Sequence, residues 1–179
     1  LRSAVINGRV MVYCPKMPPL AFYPIYEDST RTETAPRVTA QKTGNGITVE
    51  SPFYRIKWNE HGQISSLYDK KARREVFSKT GGGNILQIFE DKPRCFDAWE
   101  LESTIDLKKE EITALVSSNI AENNLAVLIS FCWKYNKSTI EQTVHVYADS
   151  PRIDFKTRVD WQESQKILKA AFIPEIRAT

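Results

Sequence analysis

The chain has 179 residues, 41% of them hydrophobic, which is enough for one domain with a real core and argues against disorder. Its 25 basic and 22 acidic residues leave a formal net charge of +3, and the longest basic runs, Lys70-Lys71 and Arg73-Arg74, sit between Asp69 and Glu75 as a solvated turn; no stripe of the kind nucleic acid needs is present. No apolar run approaches the roughly 20 residues of a membrane helix.

The start is not a signal peptide, since Arg2, Asn7, Gly8 and Arg9 fall within its first ten residues. It also lacks an initiator Met, which predicts a piece cut from a longer protein. Residues 10–13 form a short β-type run that Pro15, Pro18 and Pro19 interrupt. Residues 20–26 resume as an aromatic strand, so 1–26 read as a short β segment leading into the main domain. Residues 27–46 change to Thr, Arg, Glu, Pro and Gly, and are expected to be an exposed, irregular linker. From 47 onward the pattern is that of a β domain. Residues 47–50 and 53–58 are strands, 59–62 a turn closed by Gly62, and 63–68 the partner strand of a hairpin. A turn at 69–74 and a short strand at 75–77 follow. The triple glycine 81–83 predicts a flexible or tight turn before the apolar strand 84–89.

The second half repeats the pattern, with strands expected at 111–117, 125–133, 139–147 and 153–161. The last alternates most cleanly: Ile153, Phe155, Val159 and Trp161 share one face, and Arg152, Asp154, Lys156, Arg158 and Asp160 the other. No window carries a capped helical period. The fold class is therefore all-β, an antiparallel β-sandwich. Its expected core comprises Phe53, Ile56, Leu67, Leu86, Ile88, Val127, Ile129, Phe131, Ile153, Phe155, Val159 and Trp161.

Cys14, Cys95 and Cys132 are an odd number without CxxC spacing, which fits neither a disulfide framework nor a zinc ribbon and suits a reducing cytoplasm. His61 falls in a turn and is expected to be exposed. His145 lies between Val144 and Val146, on the more polar face of its strand. With no HxH, HExxH or Cys-His pairing, the sequence predicts no metal site and no cofactor in this chain. It predicts no catalytic residue in it either: there is no GxSxG elbow and no phosphate loop. One segment does stand out, residues 89–100 (FEDKPRCFDAWE), where acids, bases and aromatics cluster around Pro93. The plain reading is a long sheet-connecting loop with solvated charges. The functional one is a loop facing a sugar, with carboxylates for its hydroxyls and an aromatic face for its C–H groups. Asp91, Asp97 and Trp99 are the candidates for that cleft.

The run 83–93 (GNILQIFEDKP) followed by Phe96-Asp97-Ala98-Trp99-Glu100 resembles the glycoside hydrolase family 38 α-mannosidases, most closely their cytosolic and bacterial branch. Phe53-Tyr54-Arg55-Ile56 with Gly62, Ile64, Ser66, Tyr68-Asp69-Lys70 and Arg74-Glu75-Val76 resembles that family's opening hairpin. Ser150 to Phe155 with Val159-Asp160-Trp161 resembles its central strand, and 166–174 (KILKAAFIP) the strand after it. Pro18-Pro19-Leu20-Ala21-Phe22 is similar to the short element before the sandwich.

The resemblance implies a large retaining glycosidase with an N-terminal α/β catalytic domain, a helical bundle and C-terminal sandwiches of the galactose-mutarotase-like supersandwich type. A zinc ion in the catalytic domain binds mannose hydroxyls, and an Asp nucleophile there forms the covalent intermediate. Those residues lie upstream of the matched region, and the sandwich is expected to continue beyond residue 179. On this reading the chain is a cytoplasmic, non-catalytic segment whose partners are the catalytic domain, the helical bundle and a mannose-containing oligosaccharide, without nucleic acid or membrane. A free-standing carbohydrate-binding or mutarotase-like sandwich is the alternative, and the latter needs a His and a Glu placed for proton transfer. A purely structural spacer is the third reading.

Overall fold

The structure, a computed structural model, describes residues 2–6, 8–14, 19–20, 22, 38–44, 46–92 and 108–176. These residues hold fourteen strands and no α-helix. In chain order they are β1 (Arg2–Ile6), β2 (Arg9–Tyr13), β3 (Thr39–Thr43), β4 (Gly46–Glu50), β5 (Tyr54–Trp58), β6 (Ile64–Asp69) and β7 (Arg74–Glu75). There follow β8 (Ile85–Glu90), β9 (Lys109–Glu111), β10 (Leu115–Glu122), β11 (Ala126–Tyr135), β12 (Ser138–Tyr147), β13 (Ile153–Asp160) and β14 (Lys166–Ala171).

All pairings are antiparallel: a hairpin β1-β2, a five-stranded sheet β3-β4-β5-β6-β7, a three-stranded sheet β14-β8-β9, and a four-stranded sheet β10-β11-β12-β13. Strand alternation turns Val127, Ile129, Phe131 and Trp133 of β11 inward together with Ile140, Val144 and Val146 of β12. They meet Val49, Ile56, Trp58 and Ile64 of the five-stranded sheet, and Leu86 and Ile88 of β8, in one buried cluster. Burying each such side chain contributes roughly 1.5–3 kcal/mol, so the sandwich rests on these layers.

The turns explain the topology. Between β5 and β6 the Asn59 carboxamide oxygen accepts from the amides of His61 and Gln63, both at 3.0 Å, while Gly62 takes φ +74°. A side chain that mimics a backbone turn is what Asn offers at such corners. After β6, Asp69 does the same for Lys71 and Ala72. The triple glycine serves close approach. A Cβ on Gly82 would stand 2.9 Å from the Ile64 carbonyl oxygen, and one on Gly83 2.7 Å from the Phe77 ring, where Gly83 and Ile64 exchange backbone hydrogen bonds. The positive φ falls next door, on buried Asn84 (+55°). Asn84 donates from Nδ2 to the Gly62 carbonyl at 3.3 Å and to Gln142 Oε1 at 2.8 Å. Gln142 Nε2 in turn donates to Thr157 Oγ1 at 2.9 Å. This polar thread crosses the core from the β5–β6 turn to β13.

Several expectations need correction. Residues 39–43 are strand β3, and Val38 before them is buried, in place of the irregular linker expected over 27–46. Its sequence TAQKT has little apolar content, and pairing to β4 supplies the strand that composition hides. Strand β1 falls within the β segment expected over 1–26 and pairs with the run at 10–13. Residues 111–117 belong to two strands, because the chain leaves β9 at Glu111, buries Ile112, and enters β10 at Leu115. Of residues 20–26, read as a strand, only Leu20 and Phe22 lie within the described residues, and both are exposed outside any strand. Six members of the expected core are buried, but Phe53, Leu67, Ile153, Phe155 and Trp161 are only half-buried and Val159 is 39% exposed. The last four belong to or adjoin β13, which among the described strands pairs with β12 alone.

Candidate functional site

The segment singled out by sequence leaves the sheet where β8 ends at Glu90 and returns where β9 begins at Lys109, with Phe89 and Lys109 paired. Its two stems are tied together by one carboxylate. Glu90 accepts from the ammonium groups of both Lys92 and Lys108, and these two cations, Lys108 foremost, hold its carboxyl down at about 2. Charge-assisted hydrogen bonds of this type favour the ionised form directly.

Asp91 is half-buried at the start of the loop, where its amide donates to the Gln165 carbonyl at 2.7 Å and so ties the loop to the turn before β14. Beside it, Lys166 Nζ donates to the Tyr135 hydroxyl at 2.7 Å and to Glu110 Oε1 at 3.3 Å, while the Tyr135 hydroxyl donates to Glu110. Burial, and after it the Glu110 carboxylate, pushes the Tyr135 phenol above its ordinary range. Together Glu90, Lys92, Lys108, Glu110, Gln165 and Lys166 line an open concavity of about 350 Å³ at the foot of the loop. Of the three sequence candidates, Asp91 stands at the start of the loop but is not among the residues lining this concavity; Asp97 and Trp99 lie outside the described residues. Lys108, Glu110, Tyr135 and Lys166 carried no sequence signal, because it is the pairing of β14 with β8, Lys166 opposite Glu90, that assembles them.

A second polar group lies elsewhere, on the outer face of the four-stranded sheet. His145 points away from Val144 and Val146, as expected, yet is only 2% exposed. Among the described residues its Nδ1 has no hydrogen-bond partner, and burial, then the charge of Lys156, push its pKa down against the pull of Asp154. Tyr147 donates its hydroxyl to Asp154 Oδ2 at 2.7 Å; burial first, and then that carboxylate, raise the phenol to about 12. His61 is half-exposed in its turn, with Nδ1 3.1 Å from the Thr113 carbonyl and Nε2 3.8 Å from Glu60. Among the described residues no three His, Cys, Asp or Glu side chains come together as ligands for a metal. No helix among them is long and apolar enough to cross a membrane.

Residues 49–179 match the family described as glycosyl hydrolases family 38 C-terminal domain, and the chain belongs to that family. It is 34% identical over 139 residues to alpha-mannosidase G of Dictyostelium discoideum, an alignment covering 74% of this chain and 13% of that protein. It is 24% identical to the human alpha-mannosidase 2C1 along 98% of its length, which is 17% of the human protein. The mouse alpha-mannosidase 2C1 aligns in the same way, at 24% identity. The chain thus spans less than a fifth of the length of these curated relatives.

Proposed function

We propose that the chain is the non-catalytic β-sandwich segment of a cytoplasmic, zinc-dependent, retaining α-mannosidase acting on terminal α-mannosyl residues of oligosaccharides. The observation that carries this reading is the alignment of nearly the whole chain with a small part of proteins named alpha-mannosidases. Zinc and the nucleophile belong, in this proposal, to the catalytic domain and not to this chain. The sandwich braces that domain and the helical bundle, and it lends the 90–100 loop to the rim of the substrate cleft. Asp91 and Asp97 accept hydrogen bonds from mannose hydroxyls, and Trp99 offers a ring face to the pyranose. The clamp of Glu90 on Lys92 and Lys108 supports this reading, because a loop that recognises sugar needs stems held in place before substrate arrives.

The mutarotase-like alternative gains no support. His61 and Glu60 lie on a half-open turn, and His145 is buried beside Asp154 and Lys156. The test is kinetic. In the full-length enzyme Asp91→Asn and Asp97→Asn should each lower kcat/KM about tenfold to a hundredfold, the loss of one hydrogen bond to a carboxylate at ~1.5–3 kcal/mol. Zinc content and melting temperature should stay unchanged. Wild-type kinetics in both variants would remove the loop from the cleft and leave the chain a scaffold.

A further inference from the structure

The register of β8 decides which way the residues at the start of the loop point. Leu86 and Ile88 turn into the core cluster, and Glu90, two residues on, leaves the strand on that same side at the rim of the sandwich. Its pairing partner Lys166 stands beside it, as does Glu110 opposite Ile88, so the ion network with Tyr135 belongs to the core side of the sheet. Phe89 alternates to the other side, where Lys169 lies over its ring at 4.5 Å, and Asp91 follows Phe89. The ladder runs one rung further than the Lys166–Glu90 pair, because the Asp91 amide donates to the Gln165 carbonyl at 2.7 Å. Gln165 takes φ +51° at that rung, a left-handed conformation that a non-glycine residue keeps only where its surroundings hold it.

We propose that Glu90 is a positioning residue for Asp91: by holding Lys92 and Lys108 on the core side of β8, it fixes the opposite side as the one on which the Asp91 carboxylate meets a mannose hydroxyl. The inference rests on the reading of Asp91 as a residue of the substrate cleft. Glu90 and Lys92 are two residues apart, and side chains so spaced share a face when the backbone between them is extended, which turns residue 91 the other way. Lys108 takes the second oxygen of the same carboxylate from the returning stem. One side chain therefore joins the residue after Asp91 to the far end of the loop. These charges need not touch the sugar, since Asp91 does not line the concavity that Glu90, Lys92 and Lys108 share. A carboxylate already aimed loses no binding energy to being ordered. Lys92 and Lys108 are 57% and 71% exposed, so each pair is weak and screened by salt. Such pairs can bias the direction of one side chain while moving the unfolding of the domain little.

A double-mutant cycle in the full-length enzyme, with an aryl α-mannoside as substrate, tests this. Glu90→Gln should lower kcat/KM about threefold to tenfold, the scale of two exposed ion pairs, with melting temperature nearly unchanged. Combined with Asp91→Asn it should add nothing, because a residue that acts only through Asp91 has nothing left to position. Raising NaCl to about 1 M should reproduce the loss in the wild type and leave Glu90→Gln and Asp91→Asn unmoved. Losses that multiply in the double variant would overturn the proposal, as would wild-type kinetics in Glu90→Gln beside a slow Asp91→Asn; in both cases the cleft role of Asp91 survives. Wild-type kinetics in Asp91→Asn sinks the cleft reading, and the positioning role with it. Should Glu90→Gln not fold, the salt series decides: no loss in the wild type, or an equal loss in Asp91→Asn, overturns the proposal.

Discussion

Replacing Gly62 by Ala tests the packing logic of the β5–β6 corner. Gly62 sits at φ +74°, where an L-residue costs roughly 1–2 kcal/mol. The new Cβ would also stand 2.6 Å from Cζ2 of Trp133 and 3.2 Å from Cδ1 of Phe131. Neither ring can yield easily. Trp133 is 1% exposed and pinned by its Nε1–H donating to the His61 carbonyl at 2.7 Å, and Phe131 stacks against it with centroids 5.3 Å apart. Overpacking of this kind costs about 1–3 kcal/mol, so the total is about 2–5 kcal/mol. For a domain of this size that is a fall of roughly 4–20 °C in Tm. Gly44 supplies the control: its φ is +58° but nothing lies within 4 Å of an added Cβ, so Gly44→Ala should show the backbone cost alone. Urea unfolding followed by tryptophan fluorescence reads both variants. Equal losses at the two positions would refute the claim that the Trp133 ring occupies the space Gly62 leaves.

Two further perturbations separate true core from rim and reveal buried charge. Within the 179-residue chain, Phe131→Ala should cost about 3–5 kcal/mol and Phe155→Ala clearly less, since Phe131 is 3% exposed and Phe155 only half-buried; unfolding midpoints in the reverse order would contradict the burial pattern. His145 has a folded pKa below its ordinary 6.5, so the unfolded chain binds its proton first and stability should fall as pH drops below about 6.5. A pH series on His145→Gln should lose that part of the slope, and an unchanged slope would remove His145 as its source.

The parts of the fold written in side-chain period were legible in sequence. The hairpin 53–68 carries alternating apolar residues and an Asn-to-Gly corner, and β11 and β12 carry long Val- and Ile-rich runs; each was assignable from residues alone. Strand β3 was not, because TAQKT has no apolar stripe and becomes a strand only through the ladder of β4. The face of β13 was identified correctly, but its burial was not: alternation says which way Val159 points and nothing about whether a layer lies opposite. The same limit applies at the candidate site. Composition marked 89–100, yet Glu110, Tyr135 and Lys166 at its foot come from β9, β11 and β14, which only strand order brings together.

The thread from Asn84 through Gln142 to Thr157 has a consequence for how the chain avoids error. Around Leu128 and His145 both faces of the β11–β12 ladder are buried, so polarity there hardly distinguishes one alignment from the next. A slip of β12 by one residue would turn Glu141 into the core and carry Gln142 out of it. It would also take from the Asn84 carboxamide the nearer of its two acceptors, leaving one buried N–H unsatisfied at a cost of about 1–3 kcal/mol. One amide pair in an oily interior thus works as a key cut for a single lock position, letting a long and otherwise ambiguous ribbon recognise when it has been threaded correctly.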